Sequence, residues 1–294
     1  MEEAFENYAK AGRIAGKVLG FARAEAKVGA RLLDLAEKME AMVKAEGGSV
    51  AFPVNLSLNE EAAHRTPATD DLLAIGEKDL LKIDAGVHVD GFIADCALSI
   101  DFSGERSKLV EASEKALENA LAVMHAGVPV RRVGEEIQKT IAASGFRPIE
   151  NLCGHSLEQY ALHAGQEIPN VARGDYVLRE GDVFAVEPFA TNGKGTVIEG
   201  SFCEIFSIEE PRPVRLPNSR KIVDFALTQC GGLPFAKRWL EEIVAQPFLN
   251  LSLADLVKQG ILRPYPVLVE EGRGAVSQKE TTVIVERDSV KVLV

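Results

Sequence analysis

Two aspartates, Asp84 and Asp95, stand inside otherwise apolar, strand-like runs in LKIDAGVHVDGFIADCALSI, residues 81–100. Leu81 and Ile83 alternate with Lys82 and Asp84, the stretch from Phe92 to Ile100 suits a strand, and Asp90-Gly91 marks a turn between them. A two-residue loop there pairs position 84 with 97 and makes Asp95 its diagonal neighbour; a loop centred one residue earlier sets 84 against 95. Either register puts both carboxylates on one face. Held that close without partners they would repel and raise each other's pKa, so an ionised pair needs a shared cation or one shared proton. The plainer alternative is that Asp84 caps a turn and Asp95 pairs with an arginine.

Three further residues sit as oddly in their surroundings: His155 in GHS, Glu187 immediately before Pro188, and Glu280 in QKETTV. Singly, a histidine or a strand-end glutamate is most often structural. Together with the aspartates they make four carboxylates and one imidazole, a donor set that suits two divalent ions about 3.5–4 Å apart, as in two-metal hydrolases. Two dications balance four carboxylates, and a water shared between them loses a proton near neutral pH.

The elements that must position these residues follow from periodicity. Residues 2–26 show helical spacing (Phe5, Tyr8, Ile14, Val18, Phe21), and 30–46 repeat it (Leu33, Ala36, Met39, Val43) before Gly47-Gly48, so the fold opens on an antiparallel helix pair. A strand in SVAFPVNLSLN follows, then a polar loop with EEAAHRTP, then the aspartate hairpin. Two more helices are predicted near 106–126 and 131–144. In NLCGHSLEQYALHAGQEIPN, glycines and polar residues interrupt every period, which predicts a loop holding His155 and His163. GDVFAVEPFAT returns to strand character and brings Glu187 to its end. From 209 to 262 the texture turns helical, as an insertion within a single catalytic domain spanning 1–294, and strands resume in PYPVLVEE and SQKETTVIVERDSVKVLV. Each half runs from helices to a hairpin with two acids, which points to a duplicated α/β unit.

With 46% hydrophobic residues, the 294-residue chain can build a packed core. No run approaches the ~18 apolar residues of a membrane span, and MEEAFENYAKAGR lacks the basic and apolar regions of a signal peptide, so a soluble cytoplasmic protein is expected. Cys96, Cys153, Cys203 and Cys230 lack metal-knot spacing and are read as reduced; Cys96 and Cys153 are read as small buried residues. A net charge of −11 argues against broad binding to nucleic acid.

Taken in order, the two aspartates, the GHS histidine, the glutamate before proline and the glutamate in QKETTV resemble the methionine aminopeptidases of the pita-bread fold. AFPVNLSLNEEAAHRTP, the insertion between Glu187 and Glu280, and PYPVL are similar to the type II branch in its short archaeal form; the resemblance runs from about residue 5 to 293. It implies an α/β (α+β) architecture in which two α/β units, related by a pseudo-two-fold, surround a central antiparallel sheet. It further implies that Asp84 chelates one metal, Asp95 and Glu280 bridge two, and His155 with Glu187 completes the second site, Glu187 doubling as proton shuttle. His64 and His163 match the family's two substrate histidines, and Phe52, Leu162, Tyr265 and Leu268 its methionine pocket. Two divalent ions (Co, Mn, Fe(II) or Zn), nascent polypeptide N-termini as substrate, transient ribosome association and a monomeric state are the corresponding expectations. The family's matching histidine is alkylated by fumagillin-type spiroepoxides, and His64, with no apolar period around it, is expected to keep an ordinary pKa near about 6.5. Eukaryotic relatives carry a further pocket histidine where this chain has Ile205 nearby, and His88 and His125 match nothing functional. The rivals are an Xaa-Pro dipeptidase of the same fold, disfavoured by the insertion, and a non-catalytic ribosome- or RNA-binding relative, disfavoured by the five intact ligands and the acidic charge.

Overall fold

A computed structural model describes residues 2–294. Helices α1 (Glu2–Glu25) and α2 (Leu32–Ala45) are antiparallel, with Lys38 paired to Glu25 and Lys17 to Glu46 at opposite ends of the pair. Their apolar stripes, including Ile14, Val18, Leu35 and Met39, pack on a sheet of β1 (Ser49–Leu58), β3 (Leu80–Val89) and β4 (Phe92–Asp101), ordered β1-β3-β4. The hairpin turns at Asp90 and Gly91, with φ of 51° and 84°, the paired left-handed conformation of a type I′ loop. That geometry sets the register: Asp84 lies opposite Ala97 and Gly86 opposite Asp95, so the aspartates are diagonal neighbours on one face.

The arrangement recurs in the second half. Helices α3 (Ser107–Val123) and α4 (Val130–Ala143) share a core with Phe184, Val186, Val283 and Val285 of a five-stranded antiparallel sheet. The strands Thr281–Val285, Val183–Val186 and Cys153–Ser156 lie side by side at its centre. An antiparallel bridge joins the two sheets, Glu280 N–H donating to Ala97 O at 3.0 Å, and brings β4 alongside the last acidic candidate.

Three segments depart from the sequence reading. Within the stretch expected to be a polar loop, Glu61–Ala63 forms β2, a short strand pairing with Leu268–Glu270 and delivering His64 directly after it. The stretch expected to be a loop around His155 contains the strands Cys153–Ser156 and Glu167–Pro169, so His155 is carried by a central strand while His163 stays in the connecting loop. The strand ending at Glu187 is broken there: Val183–Val186 belongs to the five-stranded sheet, Phe189–Thr191 to another sheet with Val276–Gln278. Pro188 offers no N–H to continue the ladder. The chain switches sheets again between Gln278 and Thr281, at Glu280.

Residues 209–262 contribute helices α5 (Pro217–Thr228) and α6 (Phe248–Lys258), which bury Ile222, Leu249, Leu253 and Leu256 in a separate cluster. Strand Ile205–Ile208 anchors this segment by pairing with Leu262–Tyr265 on one side and Phe235–Ala236 on the other. A buried polar junction joins it to the body. Glu40 of α2 accepts from Arg238 and from Trp239 Nε1 at 3.0 Å, while Arg238 donates to Thr66 Oγ1 at 2.7 Å and Pro67 O at 3.0 Å, two and three residues beyond His64.

Candidate metal centre and substrate pocket

All five predicted ligands converge. Oxygens of Asp95 and Glu280 and a ring nitrogen of His155 lie within 4.8 Å of one another. His155 Nε2 is 3.6 Å from Asp95 Oδ2 and 3.6 Å from Glu187 Oε1. Asp84 faces the group from β3, one diagonal step from Asp95. Each acid owes its place to a feature already described: the type I′ hairpin for the aspartates, the sheet switches for the glutamates.

Among the described residues no lysine or arginine pairs with any of these four acids, and Asp84 Oδ1 and Asp95 Oδ1 are buried with no hydrogen-bond partner. The turn cap and the arginine partner considered for the aspartates are therefore absent. Burial pushes the Asp84 carboxyl up to about 7. Burial, then the neighbouring carboxylates, drive Asp95, Glu187 and Glu280 well above the ordinary range. The His155 imidazole is pushed down to about 3, mainly by burial and then by His163, and stays neutral with a lone pair to offer. Without cations this cluster holds protons. Hard oxygen donors, a neutral imidazole and orphaned carboxylate oxygens fit divalent metal, whose charge would take the place of those protons.

Sequence reasoning missed the residues that steady this cluster. Gln278, 1% exposed, directs Nε2 at Glu187 Oε2 (3.5 Å) and Glu280 Oε2 (3.3 Å). Thr282 Oγ1 accepts from Asp95 N–H at 2.7 Å and donates to Asp95 O at 2.9 Å. Asn55 on β1 lies opposite Asp84 and lines the cavity. Gln278 was within reach of a period-two argument, since it stands two positions before Glu280; the other two depend on which strands become neighbours.

The acids form the floor of a cavity of about 300 Å³. Phe52, Leu162, Tyr265 and Leu268 all line it, joined by Ile205. The Phe52 ring lies over Gly86, where a Cβ would come within 2.2 Å of it, so glycine between Asp84 and the hairpin tip is a steric requirement. His64 and His163 both face the cavity. His64 adopts φ of 66°, a strained backbone for a non-glycine residue, stacks edge-on to Tyr265 at 5.5 Å, and has Nδ1 3.2 Å from Pro266 O. A carbonyl partner requires the proton on Nδ1, which leaves the Nε2 lone pair free. The expectation of an ordinary pKa fails: the loop buries the ring and pushes it down to about 4. The His163 ring centroid is 4.5 Å from that of His155, and burial followed by Arg263 depresses it too.

Of the remaining residues considered, His88 accepts from Gly91 N–H in the hairpin turn and His125 is exposed. The four cysteines are free. Cys96 is fully buried and donates to Ala85 O, whereas Cys153, expected to be buried, is only half-buried and lines the cavity beside His155.

The profile of metallopeptidase family M24 matches residues 6–210. The methionine aminopeptidase of Pyrococcus horikoshii is 48% identical over 285 residues, covering 96% of this chain and 97% of that protein. Among solved structures, a thermophilic Arx1 superposes with a TM-score of 0.89 at 18% identity, covering 100% of this chain and 91% of the other. The methionine aminopeptidase of Thermotoga maritima does so with 0.73 at 20% identity, covering 100% and 97%. The chain belongs to metallopeptidase family M24, a family of divalent-metal enzymes, and its two helix-backed sheets are the pita-bread fold. Within that family, near-full-length identity places it among the methionine aminopeptidases.

Proposed function

We propose that this chain removes the initiator methionine from nascent polypeptides whose second residue is small, acting as one catalytic domain, 1–294, to whose pocket the 209–262 insertion contributes Pro234. The reading rests on one observation above all: the five-ligand cluster opens directly into a single cavity with apolar walls and two neutral histidines. Asp84, Asp95, His155, Glu187 and Glu280 would hold two divalent ions (Co, Mn, Fe(II) or Zn). When bound these would supply Lewis-acid polarisation of the scissile carbonyl and ease deprotonation of the attacking water.

The chain's own residues account for the remaining steps. Phe52, Leu162, Tyr265 and Leu268 receive the unbranched thioether side chain, which adapts to an irregular apolar site. His64, protonated on Nδ1 by its bond to Pro266, presents Nε2 as acceptor to the scissile amide N–H wherever the second residue is not proline, which has none, and His163 hydrogen-bonds the tetrahedral intermediate from the neighbouring loop. Glu187, whose Oε1 lies 3.6 Å from His155 Nε2 and which lines the cavity, is the carboxylate placed to shuttle a proton. It takes the proton from water and returns it to the leaving amine.

Among the described residues no helix is long and apolar enough to cross a membrane. Action in the cytoplasm, as a monomer with transient ribosome association, is part of the same proposal. The test is methionine release from Met-Gly and Met-Lys peptides alongside hydrolysis of Xaa-Pro dipeptides. Fast release from Met-Gly alone is expected, with Ala, Ser, Cys, Thr, Pro and Val also accepted in second position. Equal rates on Met-Gly and Met-Lys, leucine released as fast as methionine, or a preference for Xaa-Pro would each overturn the reading.

A further inference from the structure

Strand Leu262–Tyr265 carries Arg263 and Tyr265 two positions apart, so both side chains leave the same face. Tyr265 is half-buried in the cavity wall against His64; Arg263, one step outward, is exposed. Its guanidinium carbon lies 5.4 Å from the Tyr265 ring centroid, so the cation stands beside a residue of the cavity wall without itself lining the cavity. Among the described residues no carboxylate lies within 4 Å of it and no hydrogen bond engages it. Its charge nevertheless reaches the site, since it helps depress both His64 and His163. Glu167 lines the cavity from a different element, so the two charges stand on different sides of it: the acid in the wall and the guanidinium beside Tyr265.

With methionine against the apolar wall and the scissile bond over the acids, the chain beyond the second residue leaves through the cavity mouth. We infer that Arg263 is a specificity-determining residue that favours substrates carrying a carboxylate just past the cleaved bond, on the third or fourth residue. This rests on the methionine-releasing function proposed above. The carboxylate could be an aspartate or glutamate side chain or the free C-terminus of a short peptide, and both present the same planar acceptor to the guanidinium fork. The contact is far from the reacting atoms and partly solvated, so it acts through binding, appears in KM more than kcat, and weakens with salt.

The experiment compares amidated Met-Ala-Xaa-Ser peptides with Xaa = Asp, Asn or Lys, and Met-Ala-Ser as free acid and amide, on wild type, Arg263→Gln, Arg263→Lys and Arg263→Glu. At low salt wild type is expected to favour Asp over Lys by about two- to five-fold in kcat/KM, the range of an exposed charge pair. The ratio falls to near one in Arg263→Gln, is largely kept in Arg263→Lys and inverts in Arg263→Glu. The acid-to-amide ratio follows the same pattern if the C-terminus is read as well, and stays flat if only side chains are. An Asp-to-Lys ratio that is the same in wild type, Arg263→Gln and Arg263→Glu overturns the inference while leaving the parent function intact. Absence of methionine release from every peptide by wild type sinks the parent function instead, and calorimetric binding of the same peptides then reads the charge preference of Arg263 directly.

Discussion

Replacing Asp95 by asparagine should change the sign of its effect with metal. Asp95 is 3% exposed, and its ligand oxygen lies within 4.8 Å of that of Glu280. At that separation two ionised carboxylates repel by about 3 kcal/mol at an effective dielectric of about 20. The metal-free protein relieves this by keeping protons, so its carboxyls titrate above their unfolded values. Between an unfolded pKa near about 4 and the raised folded values the native state binds more protons, and apo stability falls as pH rises through that window. Asparagine removes one charge from the cluster. At pH 8 with chelator, Asp95→Asn should gain about 1–3 kcal/mol over wild type, about 2–5 °C in Tm for a chain of this length. At pH 5, below the raised Asp84 value of about 7, fewer of these carboxyls carry charge and the gain should shrink. With saturating Mn or Co the order reverses, because two ions, each at 100 times its Kd, stabilise wild type by about 5.4 kcal/mol, more than the apo deficit, and the variant, short of one ligand charge, loses most of that gain. Scanning calorimetry under the three conditions checks this. A lower apo Tm for Asp95→Asn at pH 8, or a higher Tm than wild type with metal, would refute the account of the cluster as a cation site.

Three further outcomes are expected. Exhaustive chelation should abolish activity and one divalent metal should restore it; full activity with no metal detectable by elemental analysis contradicts the ligand set. A fumagillin-type spiroepoxide should leave a single adduct on His64 Nε2, the nitrogen left free by Pro266, and His64→Ala should block labelling and lower kcat; peptide mass mapping that finds the adduct on His88 or His125 refutes the placement. Arg238→Met strands buried Glu40 and should cost about 3–5 kcal/mol in urea unfolding, whereas adding Glu40→Met should recover much of it. A double variant no more stable than the single one would show that the junction acts through packing alone.

The sequence by itself determined the helix pairs, through apolar residues at helical spacing, and pointed to the candidate ligand set, because Asp84, Asp95, His155, Glu187 and Glu280 are acids and an imidazole set in short runs that otherwise read as strand or turn. It left the aspartate register open between two choices until the positive φ of Asp90 and Gly91 selected one. Tertiary structure alone decided the features that arise between segments distant along the chain. The strand carrying His155 is four residues long and exists because Val183–Val186 and Glu167–Pro169 flank it; no local period marks so short an element. The breaks at Glu187 and Glu280 come from strands joining two different sheets, a matter of partner and not of propensity. The shift of His64 from an ordinary imidazole to one near 4 was illegible for the same reason, since the walls that desolvate it, Tyr265 and Pro266, lie some two hundred positions away. Side-chain chemistry is written locally, but dielectric environment and neighbouring charge belong to the assembled fold.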